Sequence, residues 1–259
     1  MRLFVINLAR AYARRQRMSE QFSQLGLKFE FHEAVDGRKL TEEHYARVDW
    51  CTRQRMGLRP QADGSIGNWF SQRQVMQEIV ENGPETAAIF EDDAELAPEL
   101  PSVLAALERW SVSFDIVKLS RRSMNKTFIP CSQLTTGHNI GRIRYHDFGT
   151  EGYVITRDAA CRFLEVTPKM MWTIDQAINN YWENGLNIYY LDPPVVIHGE
   201  QASQIEADRR QSRQLHRQTE NSVITLWRRT PWSVRRYLSR RREFKRRIRQ
   251  DQRAAILSP

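Results

Sequence analysis

Short apolar runs and stretches of helical spacing take turns along the first two hundred residues. Leu3-Phe4-Val5-Ile6 is short and branched enough for a buried strand. Phe22, Leu25 and Leu27 then mark one face of a helix that the Gly26 break ends. Phe29-Glu30-Phe31 restarts as a strand and Asp36-Gly37 is a turn signal, so the chain opens on a strand, helix, strand unit. Residues 38–65 are polar and broken by Gly57, Pro60 and Asp63-Gly64, which predicts a loop-rich excursion. Helical spacing returns over 71–79 through Val75, Met76 and Ile79, and Asn82-Gly83-Pro84 stops it. Further strands are predicted at 87–90, 115–119, 152–155 and 188–191, with helices at about 100–110, 158–165 and 175–184. Residues 121–127 are basic and polar. The recurring order predicts an α/β domain with a mostly parallel central sheet.

Beyond Gln201 apolar residues thin out and arginine dominates. Thr230-Pro231 has the form of a cap followed by proline at the first helical position. A helix over 231–249 would place Val234, Tyr237, Leu238, Phe244 and Ile248 near one face and arginine on the other, with Trp227 and Trp232 near its start.

The charge follows the same division. The whole chain has 39 Lys and Arg against 31 Asp and Glu, a formal +8, yet residues 201–259 carry 16 basic and 5 acidic side chains. The first 200 residues therefore hold a net of −3, which argues against a nucleic-acid-binding body and for a globular body with a basic attachment segment. Cys51, Cys131 and Cys161 are odd in number, widely spaced and free of any CxxC, so buried reduced thiols are expected rather than a disulfide frame or a zinc site. No apolar stretch approaches the roughly 18 residues of a membrane span, and the opening apolar run is too short for a signal peptide. A cytoplasmic body is the expectation.

Glu91-Asp92-Asp93 is the most informative triplet. Three adjacent carboxylates at the carboxyl end of a buried strand repel one another unless a cation or hydrogen-bond donors compensate. In an open α/β sheet those strand ends line the ligand crevice. Mn²⁺ or Mg²⁺ carrying a diphosphate is one natural partner. A solvated acidic turn heading the next helix is the other reading. Along an extended segment Glu91 and Asp93 share a face and Asp92 points the other way.

Several ordered blocks resemble glycosyltransferase family 25, which includes galactosyltransferases of bacterial lipooligosaccharide synthesis. They are Phe4-Val5-Ile6-Asn7-Leu8 with Arg14-Arg15, Ala34-Val35-Asp36-Gly37, Gly64-Ser65-Ile66-Gly67 with Ser71, and Ile89-Phe90-Glu91-Asp92-Asp93-Ala94. Gly149-Thr150-Glu151-Gly152-Tyr153-Val154-Ile155-Thr156-Arg157 and Thr173-Ile174-Asp175 continue the likeness, which covers about residues 2–205 and not the tail. Gln72 stands where the family commonly has His, Asn68-Trp69-Phe70 is unusual, and Glu151 replaces an often small residue.

The resemblance implies a catalytic domain over 1–205 of the single-domain nucleotide-sugar-binding (GT-A) type, followed by a basic, membrane-associating tail over 206–259. It implies transfer of a sugar, foremost galactose from UDP-galactose, onto a lipooligosaccharide, lipopolysaccharide or related glycan, with inversion. The acids would form a DxD-like element, with Asp93, Glu91 and His198 as metal ligands for Mn²⁺ or Mg²⁺. Donor contacts fall on Asn7, Arg14, Arg15, Asp36, Ser71 and Asp92; guanidinium forks suit diphosphate oxygens. Asp175 and Glu151 are the candidate bases, and helix capping is the competing role of Asp175. The basic tail has the composition of an interfacial anchor, which places the protein on the inner face of the cytoplasmic membrane, with no nucleic-acid partner expected. Two other readings stay open: a catalytically idle binding or scaffold relative, and a nucleic-acid-binding arm.

Overall fold

The computed structural model describes residues 1–58, 60–122, 127–144, 147–199 and 222–257, with side chains of the last stretch described over 234–253. The first half runs β1 (Arg2–Asn7), α1 (Tyr12–Gln24), β2 (Glu30–Glu33), a 3-10 turn (Gly37–Lys39), α2 (Glu42–Ala46), α3 (Trp50–Arg55) and α4 (Asp63–Asn82). Next come β3 (Thr86–Glu91), β4 (Ala94–Leu96), α5 (Leu100–Arg109), β5 (Ile116–Lys118), β6 (Phe128–Thr135) and β7 (His138–Ile143). The last part holds β8 (Gly152–Thr156), α6 (Arg157–Val166), α7 (Ile174–Asn179), α8 (Tyr181–Asn184), β9 (Ile188–Asp192), β10 (Val196–His198) and α9 (Ser222–Leu257).

Eight strands form one sheet in the order β2-β1-β3-β8-β5-β9-β7-β6. Following the pairings across it, six strands run one way and only β8 and β7 run the other. This is the α/β domain with a mostly parallel sheet that the alternation predicts. The period of two along each strand divides the apolar side chains between two cores. Phe4, Ile6, Ile89, Ile116 and Ile155 pack on one face with Ile66, Trp69, Val75, Met76 and Ile79 of α4 and Phe163 of α6. Leu3, Val5, Phe90, Val117 and Val154 pack on the other with Met18 and Phe22 of α1 and Val103, Leu104 and Leu107 of α5.

The differences from the sequence reading have local causes. The excursion 38–65 holds two short helices, and α4 starts at Asp63, inside it. The early start of α4 depends on glycine: a side chain at Gly67 would put Cβ 2.5 Å from the carbonyl of Val35, so the helix packs directly on the backbone leading into the 3-10 turn. The helix expected over 175–184 is two short ones meeting at Asn180. The β6–β7 hairpin and the small β4–β10 ladder escape prediction because their runs are short and mixed with polar residues. The three cysteines are free, but none is buried: Cys51 is exposed and Cys131 and Cys161 are partly covered.

The C-terminal helix also differs. It begins at Ser222 rather than 231 and runs through Thr230-Pro231, so that pair is not its cap. The side chains of Trp227 and Trp232 lie outside the described residues. Its apolar positions do not share one fate: Phe244 is buried against the body, while Val234, Tyr237 and Leu238 are exposed. Polar groups do most of the docking. Asp251 accepts from Arg142 Nε at 2.8 Å and Nη2 at 3.0 Å, from Tyr189 Oη at 2.8 Å, and from Cys131 Sγ at 3.3 Å. Arg247 donates to the carbonyls of Gly185 and Leu186, just beyond α8, where orphan carbonyls need donors, and to that of Tyr181 at its start. Asp251→Ala would leave the buried Arg142 guanidinium without its carboxylate. It is expected to lower stability in urea denaturation by about 2–3 kcal/mol and to speed proteolytic cleavage within α9.

Candidate active site

The reversed strand β8 builds the site. Because β8 is antiparallel to β3 and β5, its first residues lie at the same sheet edge as their last ones: Phe90 pairs with Gly152 and Lys118 with Tyr153. Glu91 N–H donates to the carbonyl of Glu151 at 3.1 Å. The β4–β10 ladder pairs His198 with Ala94, and Gly199 N–H donates to the carbonyl of Asp93 at 2.9 Å. Four carboxylates and a histidine thus converge on one edge.

Each acid has a different environment. Asp92 is buried and turned toward β1, accepting from Asn7 Nδ2 at 2.8 Å and pairing with Arg14 at 2.9 Å. Glu91 Oε1 accepts from Thr150 Oγ1 at 2.5 Å, Asn68 Nδ2 at 3.1 Å and Gln72 Nε2 at 3.4 Å. Desolvation, with Asp93 and Glu151 adding negative charge, pushes the Glu91 carboxyl from 4.5 up to about 7. Tyr153 Oη, donating to Gln72 Oε1 at 2.6 Å, holds that amide in place. Asp93 is 7% exposed and its Oδ1 has no hydrogen-bond partner among the described residues. Burial also raises its pKa, with Asp92 and Glu151 reinforcing and His198 and Arg14 opposing.

Glu151 is fully buried and accepts from Ser120 Oγ at 3.0 Å and from Arg122 Nε. Burial alone would raise its pKa, but Arg122 and Lys118 outweigh it and hold the carboxylate ionised. Lys118 is itself buried, donating to the carbonyl of Gly149. Desolvation lowers its pKa against the pull of Glu151, then Asp175, Glu91 and Asp147. Gly149 has φ 109°, and a Cβ there would collide with the Glu151 carboxylate and come 2.7 Å from Arg122 Nε, so only glycine lets this turn wrap the ion pair.

The structure brings Asn7, Arg14, Asp92, Glu91, Asp93, Glu151 and His198 together, and Asp175 lies near enough for its charge to act on Lys118. Asp175 is not the cap of α7: it stands in the first turn, after the N-cap residue Thr173, which makes no side-chain cap hydrogen bond. Three expected donor contacts lie apart from this edge. Arg15 stacks over the Phe31 ring at 3.9 Å. Asp36 caps the 3-10 turn and pairs with Arg10 at 3.0 Å. Ser71 is buried, accepting from Val35 N–H and donating to the carbonyl of Gly67, both at 2.8 Å. Sequence reasoning passes over Lys118, Ser120 and Arg122. A lone lysine closing an apolar strand is the signal that could have found the first.

No group of three or more His, Cys, Asp or Glu side chains is arranged to hold a metal ion among the described residues. A smaller site does fit. His198 Nδ1 and Asp93 Oδ1 are both buried atoms with no hydrogen-bond partner among the described residues, and His198 Nδ1 lies 3.9 Å from the other carboxylate oxygen, Asp93 Oδ2. A cation bonded at about 2.1 Å to each of two ligand atoms spans such a gap, and Mg²⁺-type ions take one or two protein ligands plus substrate phosphates. Glu151, although 3.7 Å from His198, is engaged by Arg122 and Ser120. Asp93 and His198 are therefore the residues that could hold an ion.

A carboxylate-lined strand edge of an α/β sheet defines a ligand-binding domain of the kind that handles charged small molecules. The chain belongs to glycosyltransferase family 25 (LPS biosynthesis protein), whose sequence pattern matches residues 1–178. It is 25% identical over 195 residues to a glycosyltransferase 25 family member of Aedes aegypti, covering 71% of this chain and 31% of that one. With procollagen galactosyltransferase 2 of Homo sapiens it shares 24% identity over 174 residues, 64% of this chain and 28% of the other. The chain spans less than a third of the length of these relatives. A glycosyltransferase involved in the glycosylation of the major capsid of PBCV-1 aligns over 80% of this chain and 96% of its own, at 12% identity and a TM-score of 0.43.

The raised pKa of Glu91 has a signed consequence. A carboxyl protonated up to about pH 7 in the folded state, and only to about 4.5 when unfolded, stabilises the fold below 4.5 and loses that contribution as pH rises toward 7. Glu91→Gln keeps the shape without the charge. Its stability relative to the wild type, measured by urea denaturation in metal-free buffer, is expected to climb between pH 4.5 and 7; a flat difference would contradict the raised pKa.

Proposed function

We propose that the chain transfers a hexosyl group, galactose from UDP-galactose, onto a lipooligosaccharide, lipopolysaccharide or related glycan, with inversion. The observation that carries this reading is the approach of Asp93 Oδ2 to His198 Nδ1 at 3.9 Å beside a carboxylate-lined strand edge, with Asp93 Oδ1 and His198 Nδ1 buried and without a hydrogen-bond partner among the described residues. Galactose is the sugar in the printed names of the procollagen relatives, and LPS biosynthesis is in the description of the family.

A bound Mn²⁺ or Mg²⁺ would neutralise the charge that develops on the UDP leaving group. Asp93 and His198 would hold it. Asn7 and Arg14 fix Asp92, which keeps the turn after β3 from swinging into the site. Arg122 and Lys118 keep Glu151 ionised and fully engaged, so Glu151 positions the turn rather than moving a proton. That leaves Asp175 as the base. It would take the proton of the acceptor hydroxyl as that oxygen attacks the anomeric carbon, while the bond from that carbon to the β-phosphate oxygen breaks and its electron pair leaves with UDP. One displacement inverts the centre.

With UDP-galactose and Mn²⁺, Asp93→Ala is expected to abolish metal-stimulated turnover, and Asp175→Asn to lower kcat by about 10²–10⁴ with metal stimulation retained. Absence of turnover by the wild type with any UDP-sugar would favour the idle, binding-only reading.

We further propose that α9 holds the protein against the inner face of the cytoplasmic membrane. Arg241, Arg242, Lys245, Arg249 and Arg253 lie along the exposed side of the helix, with exposed Val234 and Leu238 on the same stripe. Each cation near an anionic leaflet contributes about 1 kcal/mol. At equal salt the protein is expected to sediment with anionic vesicles in preference to binding duplex DNA; the opposite preference would sink this assignment.

A further inference from the structure

A hollow of about 170 Å³ has among its walls Trp69, Lys169, Met171, Trp172, Asn180 and Glu183, with Ala177 between them. Two of its walls continue into the site. Trp69 follows Asn68, whose amide is bonded to Glu91, and Trp172 precedes Asp175 by three residues on the segment entering α7. The hollow is buried at its base, where Asn180 is 1% exposed and Trp69 also 1%, and opens outward past the exposed Glu183.

Its chemistry is mixed in a specific way. Two indoles, with Met171 and Ala177 beside them, supply apolar surface. Asn180 and Glu183 supply planar polar groups, ordered by the bond from Asn180 Nδ2 to Glu183 Oε2 at 3.0 Å. Arg236 of α9 lies over the Trp172 ring at 4.3 Å and donates to Asn180 Oδ1, so the C-terminal helix fixes both the platform and the amide. A pyranose has the complementary surface: C–H patches above and below the ring for an aromatic face, and hydroxyls round its rim for amide and carboxylate groups. A phosphate would meet Lys169 on one wall but the Glu183 carboxylate and two indoles on the others, and a helix or strand would not fit the volume.

We propose that this hollow is a saccharide subsite, taking a sugar of the acceptor glycan next to the one whose hydroxyl reacts. This rests on the glycosyl-transfer reading, and it assigns α9 a part in acceptor recognition through Arg236. The probes are lactose, cellobiose and α-mannobiose, followed by saturation-transfer NMR on the full chain without donor. Saturation transfer to at least one disaccharide is expected with the wild type, weakened about tenfold in affinity by Trp172→Ala and measurably by Glu183→Gln. Glu183 is exposed, so its variant decides the matter if Trp172→Ala fails to fold. No transfer to any of the three sugars, or affinity unchanged in every folded variant, would overturn the proposal. Because this reads sugar binding alone, it is separate from the glycosyl-transfer reading, which stands or falls on turnover of UDP-galactose by the wild type.

Discussion

Crowding of like charge is the constraint that the rest of the site answers to. Glu91, Asp92, Asp93 and Glu151 meet at one sheet edge, and four ionised carboxylates could not stay there unaided. Arg14 and Asn7 take Asp92, Lys118 and Arg122 take Glu151, and desolvation with the charge of Asp93 and Glu151 holds Glu91 toward its neutral form against the pull of its donors Thr150 and Asn68. Asp93 keeps one buried oxygen, Oδ1, without a hydrogen-bond partner among the described residues, and its Oδ2 lies 3.9 Å from His198. The division leaves Asp93 the least committed of the four acids and ties the other three into the frame around it.

That frame depends on topology. If β8 ran with its neighbours, Glu151 would sit at the far edge of the sheet and neither Lys118 nor Arg122 would have a carboxylate to meet. The reversal lets a turn with Gly149 at positive φ cross the end of β5 and close over it. The same edge receives His198 from the separate β4–β10 ladder, which brings its Nδ1 to 3.7 Å from Glu151.

The sequence showed the strands that are short, branched and flanked by breakers, and the helices whose apolar positions repeat over three turns. It did not show β6 and β7, where Pro130, Ser132, Gln133 and Asn139 dilute the alternation, nor that α4 begins at Asp63, because the packing that recruits its first turn comes from Gly37 and Val35 far earlier in the chain. In the site, Glu91, Asp93 and His198 were legible from chemistry and order. Ser71 and Asp36 were visible for the same reason but serve the backbone around them. Lys118 and Arg122 were not, because a cation is conspicuous only once the carboxylate it neutralises is known to be beside it.

The socket that Arg142 and Tyr189 form around Asp251 also contains the Cys131 thiol. Desolvation, with the Asp251 charge beside it, pushes that thiol up to about 12. A thiol so far from its thiolate is chemically silent at neutral pH. Its silence is conditional on the helix being seated: remove Asp251 from the socket and both causes weaken together. The chain therefore carries its own reporter on α9, a sulfur whose rate of alkylation records how often the helix leaves the body.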